Sequence, residues 1–296
     1  SVYTVDGIDY LITANEGDSR DWNGYSNEIE VNFGKGKTSP TGKITADNSG
    51  LTGKVTFFDT SDYDGFNNEN DYLFGGRSST IFKADEQSLQ EIYTTGNDFE
   101  VKTAAYLPNN FNCSNDDATI DDRSGKKGPE AEAVTIGQIE DKTFAFIGLE
   151  RIGGIMVYDI TNPEKTEFVN YINSRDFSTD IGGDDSPEGI HFIAGNDSIT
   201  GKPQLVVAYE VSGTVGVYDL TLQKNSDQSG DDKPENPSQE PTVEETNNSS
   251  NTNTNNKNHS VNTGDASNIA ITIISLISTI VLITILMKKD KVLAED

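Results

Sequence analysis

The most oxygen-rich loop of the chain is DTSDYDGFNNENDYLF, where Asp59, Asp62, Asp64, Asn67, Glu69 and Asp71 crowd the turn after an apolar run. Calcium takes about six to eight oxygen ligands, and an alternating acidic pattern lets one turn present several of them while a glycine permits the bend. Asp62, Asp64 and Asp71, followed by Asn67 and Glu69, are therefore the expected Ca²⁺ ligands, with Gly65 at the bend. The spacing departs from an EF-hand loop and no helical pattern flanks it, so a solvated acidic turn is the other reading. A second set of charges recurs: Glu16, Glu150 and Glu210 each end an apolar run, with Arg20, Arg77, Arg123, Arg151 and Arg175 near turns. Gathered on one face, Glu16, Glu150, Glu210, Arg77 and Arg151 would bind a ligand through unlike charges. They would equally pair among themselves, satisfying buried strand ends and holding repeats in register. Glu132 and Glu188, each after a Pro-containing turn, carry the same two readings.

Hydrolytic chemistry finds little support in the same residues. Metal-dependent phosphoesterases gather several His and Asp ligands on two ions, and the chain has two histidines, His191 in an apolar run and His259 in a polar tract. No G-x-S-x-G elbow surrounds any serine. No catalytic residue is expected, and a non-enzymatic module is favoured over an enzyme.

The 296 residues carry 22 basic and 49 acidic side chains, a net charge of −27 that repels nucleic acid and anionic lipid. Cys113 is the single cysteine, so neither an internal disulfide nor a zinc cluster is available. The opening SVYTVDGIDYLITANEGD lacks the basic start and apolar core of a signal peptide. Together with the C-terminal features below, that leads to the expectation that the chain continues upstream.

What must position these residues is β-structure. Within residues 1–222 apolar runs of four to seven, among them YLITA, KVTFFDT, STIFKA, TFAFIGLE, GIMVYDIT, QLVVAYE and TVGVYDLT, are bounded by Gly, Asn, Asp and Pro, with no sustained helical period. FIGLERIGGIMVYDIT (146–161) and VVAYEVSGTVGVYDLT (206–221) match at an offset of 60 residues, pairing Glu150 with Glu210, Tyr158 with Tyr218 and Asp159 with Asp219. A weaker copy begins at LITANEG (11–17) and is expected to continue at VTFFDT (55–60). Each unit reads as a four-stranded antiparallel meander. Repeats of this size with four strands each predict propeller blades, about three and a half of them here.

Beyond residue 222 the composition changes. Gln223 to Ser260 is almost wholly Asn, Ser, Thr, Glu, Asp and Pro and predicts a disordered stalk (223–260). The run IAITIISLISTIVLITILM, residues 269–287, holds no charge and at about 1.5 Å per residue is long enough for a transmembrane helix. Lys288, Lys289 and Lys291 follow it, predicting a cytoplasmic tail over 288–296. Just before it stand Val261, Asn262, Thr263, Gly264 and Asp265. This order of polar stretch, Thr-Gly, apolar span and basic tail resembles the LPxTG-type sorting signal read by Gram-positive sortases. Only Thr263 and Gly264 of the usual motif are kept. The resemblance implies cleavage between them, a sortase transpeptidase and peptidoglycan as partners, and a cell-wall or membrane-anchored domain outside the cell; a plain single-pass anchor is the alternative.

The strings LITANEGDSRDW, GGRSSTIF, DDRSGKKGPEAEAVTIG, FAFIGLERIGGIMVYDIT, YINSRDFS and LVVAYEVSGTVGVYDL together resemble the bacterial choice-of-anchor I domain, a β-propeller-like family also labelled mesenchyme-specific cell surface glycoprotein-like. The resemblance implies an all-β domain over residues 1–222 joined to an anchor, binding an unidentified extracellular ligand or protein. Part of an extracellular hydrolase with its catalytic domain upstream is the second possibility.

Overall fold

The structure, a computed structural model, describes residues 1–224, 269–271 and 274–275. Its body is three four-stranded antiparallel sheets in chain order. The first comprises Val2–Val5, Ile8–Asn15, Ser78–Ala84 and Leu89–Thr94. The second comprises Ala131–Ile139, Lys142–Leu149, Ile155–Asp159 and Glu167–Ile172. The third comprises Pro187–Ile193, Gln204–Tyr209 and Thr214–Asp219, with Ile274–Ser275 added at its edge. Two-residue turns join Val5 to Ile8 and Ile139 to Lys142. Asp6 and Gly7, both at positive φ (52° and 76°), close the first hairpin with the backbone twist that matches paired strands.

The 60-residue offset read in the sequence is kept in the register. Ala145 pairs with Tyr158 as Leu205 pairs with Tyr218, and Phe144 with Asp159 as Gln204 with Asp219. Side-chain alternation then covers both faces of the second sheet. Ala145, Ile147 and Leu149 pack with Tyr10, Ile12 and Ile81 of the first sheet, and Phe144 and Phe146 with Leu205, Val207 and Tyr209 of the third. The strands of the middle sheet are thus apolar on both sides, as a sheet stacked between two others requires. The array is open, and no closed ring is formed by the described residues.

Two expectations are corrected. VTFFDT does not continue the first repeat: Lys54–Phe58 pairs with Glu28–Asn32 in a separate ribbon with its own small core of Val31, Phe33, Val55 and Phe57. The first sheet is completed instead by Ser78–Ala84, across a long insertion between its second and third strands. The fold is mostly rather than wholly β, because Asp98–Tyr106 forms a helix that buries Phe99 and Thr103, four residues apart. Cys113, in a polar stretch of sequence, is fully buried against the first core, and burial pushes its thiol up to about 11.

The stalk from residue 225 on, the VNTGD motif and the tail lie outside the described residues, as does most of the 269–287 segment. The strand Leu222–Lys224 pairs with Ile269–Ile271, and Ile274–Ser275 pairs with Tyr218 and Asp219, so the described residues of that segment are strand. No helix among the described residues is long and apolar enough to cross a membrane.

Candidate functional site

At one rim of the sheets the chain turns sharply before the strands Ala131–Ile139 and Pro187–Ile193. Glu130 and Ser186 occupy the same place in the second and third sheets: Glu150 N–H donates to the Glu130 carbonyl, and Glu210 N–H to that of Ser186, both at 2.8 Å. Both adopt positive φ, 52° and 67°, a conformation that costs a side-chain-bearing residue about 1–2 kcal/mol. The turn brings Glu132 and Glu188 to the starts of their strands, beside Glu150 and Glu210 at the ends of the neighbouring ones. Glu16 joins them from the first sheet. Its backbone runs against Gly75 and Gly76, which donate to the Gly17 and Glu16 carbonyls at 3.0 and 3.1 Å. A Cβ on Gly17 would lie 2.6 Å from Gly76 N, so only glycine allows that approach.

These side chains line a cleft of about 410 Å³, with Asp18, Ser19 and Asp21 from the following loop and Arg123, Lys126, Lys127 and Arg151. Behind the lining cations is the fully buried Glu130, which takes Lys127 Nζ at 2.7 Å, Arg151 Nε at 3.0 Å and Arg123. Burial alone would raise its pKa, but hydrogen bonds from Arg151, Lys127 and Arg123 outweigh that and hold the carboxyl at about 2. Lys127 also reaches Glu16 at 2.7 Å and Asp18 at 2.6 Å, so it ties the first sheet and its loop to the second. Burial pulls its ammonium pKa down; the three carboxylates more than reverse this.

The remaining acids are held differently. Glu150 accepts from Asn115 Nδ2 at 3.0 Å and faces Arg151 Nη1 at 3.3 Å, yet burial, with Glu130 adding to it, pushes its carboxyl up to about 8. Glu132 has a buried Oε2 without a hydrogen-bond partner, and burial, Glu16 and Glu188 push it up to about 7. Oxygens of Glu16, Glu130 and Glu150 lie within 4.8 Å of one another, the one acidic group of such geometry among the described residues. Lys127, Arg123 and Arg151 already supply the positive charge that a metal ion would bring there.

The charge pattern has a pH consequence. Folded Glu132, Glu150 and Asp185, the last pushed up to about 6 by burial, hold protons that unfolded carboxyls near 4.5 or below release. The native state thus binds more protons between about pH 4.5 and 8, and stability from these groups falls as pH rises through that window. Glu130 has the opposite sign. Its contribution is present above about 4.5 and is lost only as pH falls toward about 2. The melting temperature is expected to peak near pH 5 and decline to pH 8, with the decline flattened in Glu132→Gln/Glu150→Gln. A wild-type profile that rises from pH 5 to 8 contradicts this.

The structure places the residues singled out from sequence unevenly. Glu16, Glu150, Glu210 and Arg151 meet in the cleft together with Glu132 and Glu188. Arg77 does not join them: it pairs with Glu100 at 2.8 Å and donates to the carbonyls of Ser124 and Lys126. In the acidic loop, Asp71 accepts from the hydroxyls of Ser39 and Thr41, both at 2.6 Å, and from Thr41 N–H. Asn67 Oδ1 accepts from Glu69 N–H, and Asp62, Asp64 and Glu69 are exposed. Sequence reasoning missed Glu130, Lys127 and Asn115. The repeat could not reveal Glu130, because its counterpart is Ser186.

The family model of the choice-of-anchor I domain matches residues 1–163, more than half of the chain. The chain belongs to that family. The match spans the first sheet and the first three strands of the second in this choice-of-anchor I domain, less than the 1–222 read from the sequence motifs, and the third sheet is tied to them by the internal repeat. Among curated relatives, Gigasin-3a of Magallana gigas is 30% identical over 166 residues, covering 50% of this chain and 56% of the relative. The mesenchyme-specific cell surface glycoprotein of Strongylocentrotus purpuratus is 23% identical over 106 residues, 32% of this chain and 14% of that protein. The chain thus spans about half the length of the first and a small part of the second.

Proposed function

We propose that this choice-of-anchor I domain is a non-catalytic, cell-surface module that binds a positively charged ligand in the acidic cleft. The observation that carries the reading is the charge balance there. Each lining cation is already engaged by a carboxylate: Arg123 by Glu130, Lys126 by Glu28, Lys127 by Glu16, Asp18 and Glu130, Arg151 by Glu130. Glu132, Glu188, Glu210 and Asp21 line the same cleft with no ion pair of their own among the described residues, and Asp21, Glu188 and Glu210 are exposed there. In this reading the three sheets are consecutive blades of a propeller, and the cleft lies on the axial face where blade rims converge.

Hexalysine serves as a probe. Titrated into the full chain by calorimetry at low salt, it is expected to bind saturably, with affinity falling steeply as salt is added. Glu188→Gln/Glu210→Gln should weaken binding about tenfold. Absence of saturable heat, or undiminished binding in the variant, would overturn the reading.

Surface placement is supported by the family and by the sea urchin relative, whose name describes a cell surface glycoprotein. The anchor in this proposal is the uncharged 269–287 segment with its trailing lysines, and Thr263 is the residue joined to the wall. Once inserted, the short strand pairs at Ile269–Ile271 and Ile274–Ser275 must give way to helix, because an open strand edge in hydrocarbon leaves its polar groups unsatisfied. Thr263→Ala is expected to shift the protein from the wall fraction to the detergent-extractable membrane fraction. Equal extraction of wild type and variant would leave a plain membrane anchor instead.

A further inference from the structure

The insertion carries an aromatic surface that neither the core nor the cleft uses. Asp21–Trp22 pairs with Tyr25–Ser26 across the Asn23-Gly24 turn, and the rings of Trp22 and Tyr25 stack at 5.2 Å with an interplanar angle of 26°. Trp22, the chain's single tryptophan, is 59% exposed, and Phe66 is 40% exposed. The cluster continues inward through Tyr63 and Phe58 to the buried Phe74.

The hairpin is held rigidly. Arg20 N–H donates to Asn27 Oδ1 at 2.8 Å, and Asn27 N–H to the Arg20 carbonyl at 3.1 Å. The hydroxyls of Tyr25 and Tyr63 are 3.0 Å apart, Asn27 Nδ2 donates to Tyr63, and the Arg20 guanidinium sits 5.5 Å from the Tyr63 ring centre. A large ring left in water on a pinned hairpin, rather than folded into the adjacent cluster, is pre-organised for a partner, since little side-chain freedom remains to be lost on contact.

We infer that the Trp22–Tyr25 platform is a binding site for a neutral saccharide chain. The C–H faces of a pyranose ring lie flat on aromatic faces, and its hydroxyls need acceptors and donors at the rim of the stack. Asp21 and Asn23 flank Trp22 in the hairpin, and the negative charge of Asp62 acts on Tyr25. Carboxylates at that rim, in a chain of net charge −27, disfavour nucleic acid and anionic lipid as occupants of the same rings. The platform adjoins the cleft, since Asp21 at its rim also lines the cleft with Asp18 and Ser19, but the rings of Trp22 and Tyr25 are not among the lining residues.

With one tryptophan in the chain, its emission reports this platform directly. Cellohexaose, maltohexaose and chitohexaose are titrated into the full chain, and at least one is expected to shift the emission saturably. Calorimetry with that sugar should show binding at least about tenfold weaker in Trp22→Ala and an intermediate loss in Trp22→Phe, with unchanged melting temperatures because the ring is exposed. Glu188→Gln/Glu210→Gln should bind the sugar as wild type does, so failure here is distinguishable from failure of the cleft reading. The inference is overturned if none of the three sugars shifts the emission, if Trp22→Ala binds undiminished, or if hexalysine alone moves it, which would make the platform a peptide site.

Discussion

Replacing Glu130 with glutamine is expected to destabilise the domain by about 3–5 kcal/mol, the cost of leaving buried charges without their partner. The side chain is fully buried and touches three cations, Arg123 and Arg151 at Oε1 and Lys127 at Oε2. Glutamine fills nearly the same volume, so the loss is charge rather than packing. At about 2–4 °C per kcal/mol for a domain of this size, the melting temperature should drop by about 6–20 °C. The control is Glu30→Gln, which removes an acid of similar reach from the exposed Lys54 pair. Exposed pairs contribute about 0–1 kcal/mol, so that variant should melt close to wild type. Equal shifts in the two variants would show that Glu130 is not the electrostatic centre of the rim.

Phe146→Ala should be as damaging for a different reason. Phe146 lies in the middle strand pair of the second sheet, fully buried, with its ring stacked on Phe192 of the third at 6.1 Å and 15°. Truncation opens a cavity between two sheets, each held by its own hydrogen bonds, and neither can close the gap without shifting as a unit. Core Phe→Ala changes cost about 3–5 kcal/mol. Val215→Ala, in the third sheet but 52% exposed, should change stability by no more than about 0.5 kcal/mol. Denaturant midpoints of the two variants decide the matter: a Phe146→Ala loss below that of an ordinary surface change would mean that the second and third sheets do not depend on this contact.

The second sheet and the first three strands of the third were legible from sequence because each is one continuous stretch, so a single 60-residue offset carries Glu150, Tyr158 and Asp159 onto Glu210, Tyr218 and Asp219 together with their pairing. The first sheet was not. Its second and third strands, Ile8–Asn15 and Ser78–Ala84, are separated by an insertion with apolar runs of its own, and VTFFDT is as good a strand as STIFKA until burial decides which partner it takes. The helix Asp98–Tyr106 is too short to show a sustained period. In the cleft, the repeat disclosed the carboxylates it duplicates and concealed the one it does not. Glu130 works through Lys127 and Arg123, which belong to a unique loop, and no spacing rule links that loop to Glu16, more than a hundred residues earlier.

The insertion of residues 16–77 leaves the strands around it paired as they would be without it, since Asn15 and Ser78, its two ends, are directly opposite one another. Such a loop can be exchanged, lengthened or lost while the stack beneath it persists. The loop supplies the Trp22 hairpin and Glu16, Asp18, Ser19 and Asp21 of the cleft, whereas the stack supplies Glu132, Glu150, Glu188 and Glu210. Within this architecture the contacts of residues 16–77 and the pairing of the sheet strands rest on different residues, so a change inside the loop that keeps Asn15 opposite Ser78 leaves the register of the first sheet as it is.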